Sequence, residues 1–226
     1  SPGGLFPAGN PDAEILSSSH TQGLNRPFSE KKTRMAADST TPSTNEFTVN
    51  GRTYRPPARP LAVICIDGCA DEYLDSSLAH GRMPRLARLL ESGAFRAMAR
   101  GALPSFTNVN NSSITTGVPP SVHGISGNFF LDPQTGEEVM MNSSSYLRCG
   151  TILAAAANAG RKVAMVTAKE KLRDILSHEL DGIAFSAEKA DQAREDTHGI
   201  SNVEELVGEG VPEIYSAAAS LFVLKA

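Results

Sequence analysis

Leu61-Ala62-Val63-Ile64-Cys65-Ile66-Asp67-Gly68-Cys69 is the stretch whose reading decides the fold. Its apolar residues follow one another without the alternation of a half-wet strand. Such a run fits a strand covered on both faces, as in a parallel sheet. The run ends in an acid and a glycine, so Asp67 is predicted to sit at the C-terminal edge of that sheet. In open α/β sheets, ligands bind at that edge. A carboxylate there can ligate a cation such as Zn²⁺. It can equally be a turn-forming or capping acid. Cys65, inside the run, reads as a small core residue.

Downstream lies Leu103-Pro104-Ser105-Phe106-Thr107-Asn108-Val109-Asn110-Asn111-Ser112-Ser113-Ile114-Thr115-Thr116-Gly117. Pro104 and the small polar residues after it suit a loop entering a helix that runs from Thr107 to about Thr116. Asn and Ser make an ordinary strand unfavourable here. A helix start leaves N–H groups unpaired and carries partial positive charge, so it can hold a phosphate or phosphonate. Thr107 alone reads more readily as a helix cap. Paired with Asp67, it becomes a candidate metal-assisted nucleophile.

Elements alternate around these two stretches in the α/β manner. A helix is predicted near Met83–Ser92, where Met83, Leu86, Leu89 and Leu90 share a face. Residues 94–101 read as a strand, and 128–142 as an excursion hairpin. A helix at 152–159 feeds a strand at 162–168, followed by a helix at 170–178, a short strand at 183–185 and a helix at 214–224. Together these predict an α/β fold with a mostly parallel sheet flanked by helices. Upstream, residues 1–58 are rich in Pro, Gly, Ser, Thr and Asn and read as a flexible extension. Within it, residues 1–34 resemble upstream sequence ahead of Met35, and 47–54 alternates around Asn50-Gly51, a hairpin signal. The globular body is predicted over 59–226.

Composition narrows the partners. With 226 residues, 40% hydrophobic content and a formal charge of −4, the chain can hold one large α/β domain and offers no nucleic-acid surface. Three cysteines are too few for a disulfide framework. No apolar stretch is long enough to cross a membrane, and no secretory segment is recognisable. The expected setting is therefore cytoplasmic, with a small-molecule partner; a homodimer is left open.

From Asn45 onward the chain resembles the alkaline phosphatase superfamily and, within it, the phosphonoacetate hydrolase branch. The likeness rests on Ile64-Cys65-Ile66-Asp67-Gly68, on Pro104-Ser105-Phe106-Thr107-Asn108, on Thr116-Gly117-Val118-Pro119-Pro120-Ser121-Val122-His123-Gly124-Ile125-Ser126-Gly127-Asn128, and on Ala168-Lys169-Glu170-Lys171-Leu172. The first three motifs occur broadly in the superfamily, and the Lys-x-Lys element points to the phosphonoacetate branch. The resemblance implies two Zn²⁺ ions in the complete enzyme, with Asp67 and Thr107 as ligands of one and Thr107 as nucleophile. It implies that Asn128 donates to a phosphonate oxygen. Lys169 and Lys171 would lie beside the substrate carboxylate, where they stabilise the departing carbon as an enolate.

Plainer readings stand beside these. Asn128 suits a turn, and the lysines suit a solvated helix start. Asp174 and His178, four apart on a helix, mimic a metal pair, but the acid also suits Lys171 or Arg173. His123 is taken as structural. The family's remaining zinc ligands, an Asp-x-x-x-His pair, an Asp-His pair and a distant histidine, are not recognisable before Ala226. The chain is therefore expected to cover the first half of a member, to bind zinc poorly by itself and to be inactive alone. A phosphodiesterase or phosphomonoesterase on the same scaffold, or a non-catalytic binding module, are the rival readings.

Overall fold

The computed structural model of the chain describes residues 46–226; the readings of residues 1–34 and of Met35 lie outside the described residues. Strands β1 (Phe47–Val49) and β2 (Arg52–Tyr54) form the hairpin expected around Asn50-Gly51. Both turn residues have positive φ, 52° and 74°, as a type I′ turn requires. The hairpin is docked rather than trailing. Asn50 Nδ2 donates to the carbonyls of Thr116 and Gly150, both at 2.8 Å.

Helices α1 (Asp71–Ala79), α2 (Pro84–Glu91), α3 (Thr107–Thr116) and α4 (Pro120–His123) follow. The antiparallel pair β3 (Phe129–Leu131) and β4 (Glu138–Met140) is the excursion hairpin. Helix α5 (Ile152–Asn158) then leads into β5 (Ala164–Thr167), α6 (Glu170–Leu176) and β6 (Ile183–Ser186). Strands β5 and β6 pair in parallel from Ala164↔Ile183 to Thr167↔Ser186. Short helices α7 (Glu195–His198) and α8 (Val203–Val207) precede α9 (Ala217–Lys225).

The α/β class holds, with one correction to the sheet. Among the described residues the parallel sheet is the β5–β6 pair alone. Residues 61–67 and 94–101 belong to no strand. A strand exists by hydrogen bonding to a neighbour, and neither segment has one among the described residues. Side chains meant for a buried sheet are consequently exposed: Val63 by 74% and Phe95 by 92%. Cys65 is exposed as well, not a core residue.

Three apolar clusters hold the rest together. One joins Val109, Ile125, Met141 and Leu147 beneath α3. A second joins Met165, Ile175, Leu176 and Ala184 between α6 and the parallel pair. The third gathers Phe185, Val203 and Phe222 with neighbouring alanines. Helix α3 turns Asn108, Val109, Ser112 and Thr116 inward, spaced as one face of a helix. Its opposite side, beginning with Thr107, stays accessible.

Candidate active site

Thr107 is the first helical residue of α3, with Phe106 as the N-cap and no side-chain cap bond. Its hydroxyl is therefore not spent on the helix. Thr107 Oγ1 instead donates to Asp67 Oδ2 at 2.7 Å, across forty residues of sequence and in an exposed setting. Asp67 is brought there by the turn at Gly68, whose φ of +72° reverses the chain into α1. A cavity of about 370 Å³ opens at this pair. Asp67, Gly68 and Cys69 line one wall and Ser105, Phe106 and Thr107 the other. Thr107 does not cap α3: Phe106 is the N-cap, and the Thr107 hydroxyl is bonded to Asp67.

Three asparagines hold the threonine's surroundings. Asn110 Oδ1 accepts from the Ala102 N–H at 2.7 Å, tying the entering loop to α3. Asn111 Nδ2 donates to the Thr107 carbonyl at 3.0 Å. Asn108 is buried, and its Nδ2 donates to the Met141 carbonyl at 2.8 Å. The Met141 N–H in turn donates to the Asn128 carbonyl at 2.7 Å. Asn128 is thus linked to the start of α3 through one intervening residue. It is exposed, and it is not among the residues lining the cavity. The sequence reading took this asparagine run only as unfavourable for a strand. The signal it missed is that an amide can bridge two backbone segments, donating to one and accepting from the other.

Lys169 and Lys171 lie at the C-terminal end of β5, Lys169 as the N-cap of α6 and Lys171 exposed on its first turn. Helix α6 packs against α3, although neither lysine lines the cavity. A polar clasp fixes this corner. Thr167 Oγ1 donates to the Lys169 carbonyl, and the Glu170 N–H donates to Glu188 Oε2 at 2.8 Å. Glu170 Oε1 accepts from Arg173 Nε and Oε2 from Ser186 Oγ, each at 2.7 Å. Burial alone would push the Glu170 carboxyl up, but these donors outweigh it and hold it below the usual value. Glu188 and Ser186 were not singled out from sequence, because their roles arise only where β6 meets the start of α6.

Two further readings resolve. Asp174 Oδ2 accepts from the Ser144 N–H at 2.8 Å, and among the described residues no third His, Cys, Asp or Glu joins Asp174 and His178 in a metal-binding group. His123 is fully buried. Its Nδ1 accepts from the Ile125 N–H at 3.1 Å, so the ring proton sits on Nε2, which donates to Ser113 Oγ at 2.9 Å. Ser113 Oγ passes the chain on to the Val109 carbonyl. The histidine is structural, as expected, and burial lowers its pKa.

Comparison with known proteins places this geometry. The family of type I phosphodiesterases and nucleotide pyrophosphatases matches residues 61–201, well over half the chain. The chain belongs to that family. Crystal structures of phosphonoacetate hydrolase from Sinorhizobium meliloti 1021, in complex with phosphonoacetate and with phosphonoformate, superpose with a TM-score of 0.77. At 50% identity they cover 80% of this chain and 45% of that protein. A pyrophosphatase/phosphodiesterase of Schizosaccharomyces pombe is 37% identical over 78 residues, 34% of this chain and 15% of the relative. An ectonucleotide pyrophosphatase/phosphodiesterase of Caenorhabditis elegans is 31% identical over 81 residues, 36% of this chain and 10% of the relative. The chain thus spans less than half the length of the solved relatives and a smaller share of the curated ones. It carries the alkaline-phosphatase-like α/β fold.

The donor set fits a divalent cation in part. Two hard oxygen donors meet at Asp67 and Thr107. Among the described residues, however, no group of three His, Cys, Asp or Glu side chains converges, and a catalytic zinc usually takes three protein ligands. Among the same residues no helix is long and apolar enough to cross a membrane.

Proposed function

We propose that this family member hydrolyses the carbon–phosphorus bond of phosphonoacetate, giving acetate and phosphate, with Thr107 as nucleophile. The observation that carries the reading is the 2.7 Å hydrogen bond from Thr107 Oγ1 to Asp67 Oδ2 at the exposed start of α3. The proton that Thr107 must lose already points at a carboxylate. A divalent cation, taken as Zn²⁺ and held by Asp67 and Thr107, would favour the deprotonated hydroxyl and offset charge on the phosphonate. The threonine oxygen bonds to phosphorus as the C–P bond breaks, and the electron pair leaves on carbon. The neighbouring carboxylate takes up that pair as an enolate, beside Lys169 and Lys171, and a solvent proton completes acetate. Water then cleaves the phosphothreonine and restores the hydroxyl. Asn128 is assigned to a phosphonate oxygen during the attack. The three free thiols fit a reducing compartment such as the cytoplasm.

The phosphodiesterase reading is favoured by the family match itself. The two readings part at the lysines, since a phosphodiester has no carboxylate for them to hold. In the full-length protein, Lys169→Ala and Lys171→Ala are expected to lower turnover of phosphonoacetate by roughly a hundred-fold and to spare a carboxylate-free phosphodiester. Equal rates on phosphonoacetate with and without the lysines would favour the phosphodiesterase.

A further inference from the structure

Tyr215 stands in a backbone conformation that a bulky aromatic residue avoids. Its φ is +66° in the turn before α9, where the side chain crowds the neighbouring carbonyl. Burial does not explain it, because the residue is 79% exposed. The turn is fixed from its far side, where Ser216 Oγ donates to the Glu213 carbonyl at 2.5 Å and accepts from the Ala219 N–H at 3.1 Å. In this posture the ring makes one distinctive contact: Lys169 Nζ lies over it, 4.1 Å from the centroid.

A lysine tip is mobile on four rotatable bonds, and ordering it at the moment of binding weakens the ligand's hold. A carboxylate partner would fix the ammonium but also neutralise it. Among the described residues, none of the ion pairs involves Lys169. The face of an aromatic ring attracts the ammonium through its quadrupole and leaves N–H donors on the far side uncommitted. A cation held in place with donors free is what an incoming carboxylate needs. Strained residues persist where the surrounding structure over-determines them, and they cluster at ligand sites.

We propose that Tyr215 is a positioning residue that seats the Lys169 ammonium to receive the carboxylate of the substrate, an inference that rests on the reading of Lys169 as carboxylate anchor. The test uses the full chain with lysine ¹³C-labelled at Cε incorporated biosynthetically, which keeps every ammonium N–H, the Lys169 resonance being assigned by its absence in Lys169→Arg. In the native chain this signal is expected to be displaced by the ring and to move on titration with phosphonoacetate, but not with inorganic phosphate. Tyr215→Leu and Tyr215→Gly should return the signal to the bulk position and raise the Kd for phosphonoacetate about two- to five-fold. Tyr215→Phe should retain both native properties. Glycine suits the left-handed turn, so Tyr215→Gly should keep or raise the melting temperature, which separates lost binding from lost folding. An unshifted signal in the native chain, or an unchanged Kd in the Leu and Gly variants, overturns the role of Tyr215 alone. A ring-shifted signal that phosphonoacetate fails to move overturns the anchor reading and the role together.

Discussion

Thr107 and Asp67 were legible as single residues because each is marked by strong local chemistry: an acid at the end of an apolar run, and a hydroxyl where a polar loop enters a helix. In the structure Thr107 Oγ1 donates to Asp67 Oδ2 at 2.7 Å. Asn108, Asn110 and Asn111 were not legible, because an amide's partners are fixed only once distant backbone arrives. His123 carries a prediction at this scale. Burial lowers its folded pKa below the ordinary value of 6.5, so the unfolded chain binds the proton more readily. Its contribution therefore favours the fold above about pH 6.5 and is lost as the pH falls below that value toward the folded pKa. Thermal melts from pH 7.5 down to pH 5.5 should show stability falling with acid, and His123→Gln should flatten that slope. An unchanged slope would contradict the neutral Nε2–H assignment.

Among elements, α3 matches the expected helix, since the loop before it and Gly117 after it mark both ends. The β5–α6–β6 unit also follows the pattern of apolar runs. The strands expected at 61–67 and 94–101 are absent for a physical reason: composition records the burial a segment is suited to, not the presence of its neighbours. Helix α1 was missed because it lacks a side-chain cap and buries no residue, leaving no periodic signal. The β1–β2 hairpin is the element whose role can be measured. Asn50→Ala removes two hydrogen bonds that fasten it to the end of α3 and to Gly150. A loss of about 1–3 kcal/mol is expected from two such bonds, read as a lower urea midpoint with an unchanged m-value. No shift in midpoint would mean that the hairpin does not brace α3.

At the scale of the whole molecule, Leu61, Val63, Ile64 and Ile66 and, further along the chain, Phe95, Met98 and Leu103 are all exposed. Soluble monomers rarely leave so many large apolar side chains within short segments open to water. The chain is expected to bind the dye ANS and to self-associate as its concentration rises, and Val63→Lys with Ile64→Lys should reduce both. Absence of dye binding would show these segments to be covered in solution. Function at this scale returns to one oxygen atom. Rapid quenching of the full-length protein during phosphonoacetate turnover, followed by peptide mass spectrometry, should find phosphate on Thr107, with Thr107→Ala abolishing turnover. An unmodified Thr107, together with undiminished turnover in Thr107→Ala, would contradict the assignment of the nucleophile.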